Sequence, residues 1–75
     1  MQRLQFRLHI TRPQLLQYYQ GQVGALTVRT EQGVRLQIAL HHFRPFVGHN
    51  GLQGRFEIEL TNKHQLHQLR QLSSG

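Results

Sequence analysis

Hydrophobic and polar residues alternate at the start of the chain. The apolar positions are two residues apart: Leu4, Phe6, Leu8 and Ile10. Because successive side chains of a strand point to opposite faces, this period predicts a β-strand with one face in a core and one in solvent. The polar positions between them would then lie on the outer face.

A short helix is predicted directly after this strand. Thr11 and Gln14 have the spacing of a capping box, and Pro13 is tolerated in the first turn of a helix. Gly21 is a typical C-terminal stop. Between these signals, apolar residues follow at helical spacing: Leu15, Leu16, Tyr18 and Tyr19. A helix of this length needs packing against the rest of the fold.

The middle of the chain predicts a β-hairpin. Leu26 and Val28 alternate with polar residues, and residues 34–40 show the clearest alternation in the chain. Between the two runs, Gly33 supplies the positive φ that a tight turn requires. Pro45 then ends the alternation, because proline cannot donate a ladder hydrogen bond.

One more strand and an ambiguous segment follow. Asn50-Gly51 is a strong turn signal, and after it come Phe56, Ile58 and Leu60 on one face of a strand. The segment 64–72 fits two structures. Its leucines are three residues apart, which favours a helix, but a closing strand with a bulge would also direct them inward.

The order of these elements predicts an α+β fold. We expect a small curved antiparallel sheet or partial barrel of four to five strands, with one short helix after the first strand. Residues 1–72 would form a single small domain, and residues 73–75 a frayed C-terminal tail.

Charge narrows the choice of partner. The 75 residues carry nine Lys plus Arg against three Asp plus Glu, a formal net charge of +6, and Lys63 is the only lysine. Guanidinium groups pair with phosphate in a bidentate way, so a chain this rich in arginine should attract polyanions, nucleic acid above all. The chain has no cysteine, which excludes disulfides and thiolate metal sites.

Five arginines are candidates for phosphate contacts. They occupy outward positions of the predicted strands, and would share one sheet face if those strands are neighbours: Arg3, Arg7, Arg29, Arg35 and Arg55. Three aromatic residues are candidates for base stacking: Tyr18, Tyr19 and Phe46. The favoured function is therefore a non-catalytic binding module for RNA or single-stranded nucleic acid.

Alternative functions use the same residues differently. Arginines on exposed strand positions also solubilise a domain and protect sheet edges, and Glu57 and Glu59 are expected to pair with arginines across the sheet. The aromatic residues would then form a patch for a protein partner or for homo-oligomerisation. This protein-interaction adaptor is the main alternative to the nucleic-acid-binding module.

Other functional classes are not indicated by the residues. No nucleophile–base–acid pattern or phosphate-binding loop is present, so we expect no enzyme and no cofactor. His41-His42 and His64-x-x-His67 lack further ligands, so we expect no physiological metal site. The N-terminal segment alternates and resembles no secretory signal, which predicts a cytoplasmic protein without membrane attachment.

Particular motifs add a resemblance to a known family. They include Tyr18-Tyr19-x-Gly21, the run His41-His42-Phe43-Arg44-Pro45-Phe46-Val47, and Gly51-Leu52-x-Gly54-x-Phe56. With these, the chain resembles short bacterial proteins catalogued as domain of unknown function 2835. The resemblance implies a free-standing small domain with no assigned activity, and it transfers no catalytic or binding residues.

Overall fold

The computed structural model describes residues 1–74. The elements in chain order are β1 (Gln2–Ile10), α1 (Arg12–Gln20), β2 (Ala25–Arg29), β3 (Arg35–Ala39), a 3-10 helix (Leu40–Phe46), β4 (Leu52–Leu60) and β5 (Leu66–Ser73). All strand pairs are antiparallel. The expected α+β fold with a short helix after the first strand is confirmed at this level.

The strands form two open sheets rather than one curved sheet or partial barrel. One sheet has the order β1-β4-β5, and the other is the β2-β3 hairpin. Between β1 and the β2–β3 hairpin, a single backbone hydrogen bond joins the described residues, from the N–H of Glu31 in the hairpin turn to the carbonyl of Gln5 over 2.7 Å. The two sheets therefore contribute side chains to one shared core without a continuous ladder around it.

Aromatic rings fill the centre of that core. Phe6, Phe43 and Phe56 are almost completely buried. Phe56 stacks on Phe6 with ring centroids 5.7 Å apart, and Phe43 meets it edge-on at 5.8 Å. Phe43 comes from the 3-10 helix, an element that the sequence interpretation read only as a break at Pro45. The spacing of Phe43 and Phe46 matches the three residues per turn of a 3-10 helix.

The predicted ends of α1 are confirmed. The Thr11 hydroxyl accepts the Gln14 N–H at 3.4 Å, and the Gln14 side chain accepts the Thr11 N–H at 3.0 Å. At the other end, the Gly21 N–H donates to the Gln17 carbonyl at 2.8 Å. Leu15 is the buried anchor of the helix. Within the described residues, no helix has the length and apolar character needed to cross a membrane.

The ambiguous C-terminal segment is a strand. β5 pairs with β4 through register shifts next to Phe56 and Leu60, so the bulged-strand alternative is confirmed and the helix is wrong. The irregular pairing explains the spacing of the leucines, although Leu72 remains exposed. Ser73 belongs to β5 and not to the predicted tail, and Gly75 of that tail lies outside the described residues.

Candidate nucleic-acid interface

The outer face of the three-stranded sheet carries polar residues in cross-strand rows. In the first row, Arg3 of β1 lies opposite Glu59 of β4. The Arg3 Nε donates to Glu59 at 2.8 Å, and the His67 Nε2 lies 3.6 Å from the same carboxylate. Arg3 itself is well exposed. One of the five candidate arginines is therefore already paired with a carboxylate.

The second row is centred on Glu57. Its carboxylate accepts a hydrogen bond from the Gln5 side chain at 2.9 Å and another from Arg70 on β5. The bond from Arg70, with help from Gln5, holds the pKa of Glu57 below its ordinary value. The expected pairing of Glu57 and Glu59 with arginines across the sheet is thus confirmed.

In the third row, two arginines face each other. Arg7 and Arg55 are register partners on β1 and β4. Like charges directly opposite each other are unfavourable, and Glu31 relieves this pair from the β2–β3 turn. Arg55 donates two hydrogen bonds to the Glu31 carboxylate, at 2.7 and 2.8 Å. The hydrogen bond from Arg55 lowers the pKa of Glu31.

The remaining two candidates lie on the other sheet. Arg29 and Arg35 are register partners at the turn end of the β2-β3 hairpin, and both are exposed. Among the described residues, no carboxylate pairs with either of them. The condition for one shared sheet face, that the strands are neighbours, is therefore not met, because the strands that carry the five arginines belong to two sheets.

Charge is distributed unevenly as a result. All three glutamates of the chain are engaged on the outer face of the three-stranded sheet, where they pair with Arg3, Arg55 and Arg70. The excess of positive charge therefore lies mainly outside that network. Within residues 1–74, Arg29 and Arg35 form no ion pair with a carboxylate, and the fold holds them at opposed positions of the hairpin.

The three candidate aromatic rings differ in access. Tyr19 on α1 is 41% exposed. Tyr18 is half-buried and packs against the core, and Phe46 meets Phe56 edge-on with centroids 5.6 Å apart. Only Tyr19 presents an open ring for stacking without a change in the core.

The histidines do not assemble a larger cluster. The rings of His41 and His42 lie with centroids 4.1 Å apart on the 3-10 helix. In residues 1–74, no group of three or more potential metal ligands lies close enough together to hold an ion.

The chain matches the sequence model of one known protein family. The sequence model of a family described as "Protein of unknown function (DUF2835)" matches residues 2–72. This chain belongs to the DUF2835 family. The resemblance noted from the sequence motifs is thereby confirmed. No curated protein and no solved structure matches it.

Sequence reasoning missed two residues that shape the surface of this DUF2835 protein. Gln5 links Glu57 to the β2–β3 turn, where its side chain also accepts a hydrogen bond from Gln32 at 2.5 Å. Glu31 lies in the turn that Gly33 predicts, and its carboxylate neutralises Arg55 across β1. Neither role has a local sequence signal, because both depend on which strands become neighbours.

Acid should destabilise this DUF2835 protein through the carboxylates with lowered pKa. A carboxylate whose pKa is lower in the folded than in the unfolded state stabilises the fold at any pH above its unfolded pKa. This stabilisation is lost as the pH falls through the folded pKa. We expect the urea midpoint to fall as the pH drops below about 5 and on through the lowered folded pKa values of Glu31 and Glu57. The urea midpoint of the Glu57→Gln variant should fall less steeply with decreasing pH, because glutamine does not titrate.

The control for this measurement is the same titration in high salt. Because these ion pairs are partly exposed, salt should weaken the pH dependence of the wild-type midpoint. An identical pH profile for wild type and Glu57→Gln would contradict the conclusion that the lowered pKa of Glu57 stabilises the folded state.

Proposed function

We propose that this protein is a non-catalytic binding module for RNA or single-stranded nucleic acid, and that the Arg29–Arg35 pair is its principal phosphate contact. The observation that supports it is the cross-strand register of two exposed arginines that have no carboxylate partner within residues 1–74. Two like charges held side by side repel each other. A phosphate bound between them would accept hydrogen bonds from both guanidinium groups and offset this repulsion.

The other candidate arginines have graded roles. In the described part of the chain, Arg7 forms no ion pair with a carboxylate, since Glu31 is held by Arg55, and we place a second phosphate there. Arg3 and Arg55 must leave their carboxylate partners, or share them, to contact a ligand. We therefore place Arg29, Arg35 and Arg7 at the centre of the interface and Arg3 and Arg55 at its margin.

A single strand fits this surface better than a duplex. Bases of a single strand are free to stack on aromatic side chains, and Tyr19 offers the most open ring. Tyr18 and Phe46 contribute to stacking only to the extent that their half-buried rings are accessible. Because phosphate contacts dominate, we expect little preference for sequence.

The test is fluorescence anisotropy with a mixed-sequence single-stranded RNA of about 12 nucleotides. Binding is measured over a range of salt concentrations for wild type and for the double variant Arg29→Glu, Arg35→Glu. We expect the affinity of the double variant to be at least about tenfold weaker at 150 mM salt. The slope of log K against log salt should become shallower by about 1.4, or about 0.7 for each phosphate that is no longer neutralised.

The matched control is the double variant Arg12→Glu, Arg44→Glu. It makes the same change in net charge at two exposed positions on the helices. Equal weakening in the two variants would show attraction by net charge alone and would overturn the assigned interface. Absence of RNA binding at 150 mM salt would overturn the proposal and favour the protein-interaction adaptor.

A further inference from the structure

An open seam separates β1 from β2. The two strands meet at one rung, where Gln5 accepts the Glu31 N–H at 2.7 Å and its own N–H donates to the Gln32 side chain at 3.1 Å. Beyond this rung, a groove of about 470 Å³ lies between residues 7–10 and residues 25–27, with Tyr18 in its lining. The described residues form no backbone hydrogen bond across it.

Backbone groups of β1 point into the seam. Gln5 directs both its N–H and its carbonyl toward the β2–β3 turn. Because these directions alternate along an antiparallel strand, Arg7 and His9 direct theirs to the same side. β1 therefore presents a row of unpaired donors and acceptors to the groove.

The facing edge of β2 has the same property. The Thr30 N–H donates to Val34 at 2.8 Å, and Gly24 accepts from Leu40 at 2.9 Å, so the even-numbered residues bond within the hairpin. By the same alternation, Ala25 and Thr27 direct their backbone groups into the seam. Two unsatisfied strand edges thus border one groove.

The charge beside the seam favours an acidic partner. If the antiparallel register of the Gln5–Glu31 rung continued, Arg7 would lie opposite Arg29. Like charges at directly opposed positions destabilise a strand pair, and the carboxylate of Glu31 is already held by Arg55. A second copy of this chain would bring the same arginines to the seam, so self-association has the same disadvantage.

We infer that this seam is a docking groove for an extended acidic segment of a partner protein, which binds by strand addition. The segment would pair with both edges and place acidic side chains between Arg7 of β1 and Arg29 of β2. Its alternate side chains would face the apolar lining of the groove, at Leu8, Ile10 and Leu26. This proposal shares Arg7 and Arg29 with the proposed nucleic-acid interface, but it also needs the two strand edges, which nucleic acid would not use.

The test measures amide hydrogen exchange by NMR with a designed probe. The probe is a terminally blocked peptide of about eight residues that alternates glutamate and valine. At about 150 mM salt and a peptide concentration about ten times the Kd, we expect exchange about tenfold slower at Arg7, His9, Ala25 and Thr27. Leu8 and Leu26, whose amides already lie within ladders, should change little.

Two further measurements check the charge and the backbone separately. A lysine–valine peptide of the same length should not bind wild type, and the double variant Arg7→Glu, Arg29→Glu should reverse this preference. Thr27→Pro removes one edge donor while leaving the hairpin ladder intact, so it should weaken binding of the glutamate–valine peptide about tenfold.

Several results would overturn the inference. They are no protection with the glutamate–valine peptide, equal protection with the lysine–valine peptide, and protection that does not alternate along β1 and β2. If Thr27→Pro fails to fold, the alternating pattern in the wild-type protein still decides the question. RNA binding by the same sample is measured independently, so the two proposals fail or succeed separately.

Discussion

Gly51→Ala is expected to unfold most of the protein. Gly51 has φ of +100°, a conformation that strains any residue with a Cβ. A Cβ there would overlap the Ile10 carbonyl oxygen and lie within 2.7 Å of the Arg12 nitrogen. Because these are backbone atoms at the β1–α1 junction, they cannot move aside as a side chain would.

The cost should approach the total stability of the domain. Backbone strain and overpacking each cost about 1–3 kcal/mol, and the overlap with backbone atoms places the total in the upper part of the summed range of about 2–6 kcal/mol. A single core of this size rarely supplies more than about 3–5 kcal/mol. Urea denaturation followed by circular dichroism measures the change directly.

The matched control is Gly48→Ala in the same turn. Gly48 and Gly51 exchange backbone hydrogen bonds of 2.8 and 3.1 Å, but a Cβ at Gly48 would meet nothing within 4 Å. This variant should stay within about 0.5 kcal/mol of wild type. Equal stability of the two variants would refute the role assigned to the close approach at Gly51.

Phe56→Ala should have an effect of similar size for a different reason. Phe56 is fully buried, and its ring meets those of Phe6, Phe43 and Phe46 with centroids 5.6–5.8 Å apart. These contacts join β1 and β4 to the 3-10 helix. Truncating such a ring costs about 3–5 kcal/mol, because apolar burial decreases and a cavity is left behind.

Two comparisons make the Phe56 result specific. Phe56→Leu keeps most of the apolar volume and should lose less stability, whereas Leu16→Ala changes an exposed helix residue and should have a small effect. Free energies of unfolding from urea titrations rank the three variants. A destabilisation by Phe56→Ala no greater than that by Leu16→Ala would contradict the central position of the aromatic cluster.

Both binding proposals depend on which basic side chains the three glutamates neutralise. With only three carboxylates against nine basic side chains, each glutamate is committed to an arginine or to a row of polar groups. In the described residues, no glutamate pairs with Arg29 or Arg35, or with Arg7 beside the seam. Both sites therefore suit a ligand that brings negative charge, either as phosphates or as acidic side chains.

The sequence by itself determined the local elements. The alternation from Leu4 to Ile10, the capping box at Thr11 and the positive φ of Gly33 all depend on neighbouring residues, and all appear in the structure as predicted. Period and turn chemistry act over a few residues, so they can be recognised without knowing the fold. The outward orientation of the candidate arginines also follows from this alternation.

Only the tertiary structure decided how those elements meet. The division of the arginines between two sheets, the reach of Glu31 to Arg55 and the open seam depend on which strand edges pair. The conformation of residues 66–73 was likewise fixed by bulged pairing with β4. Strand pairing joins residues far apart in the chain, and its choice among edges is a balance of packing and charge that no local pattern encodes.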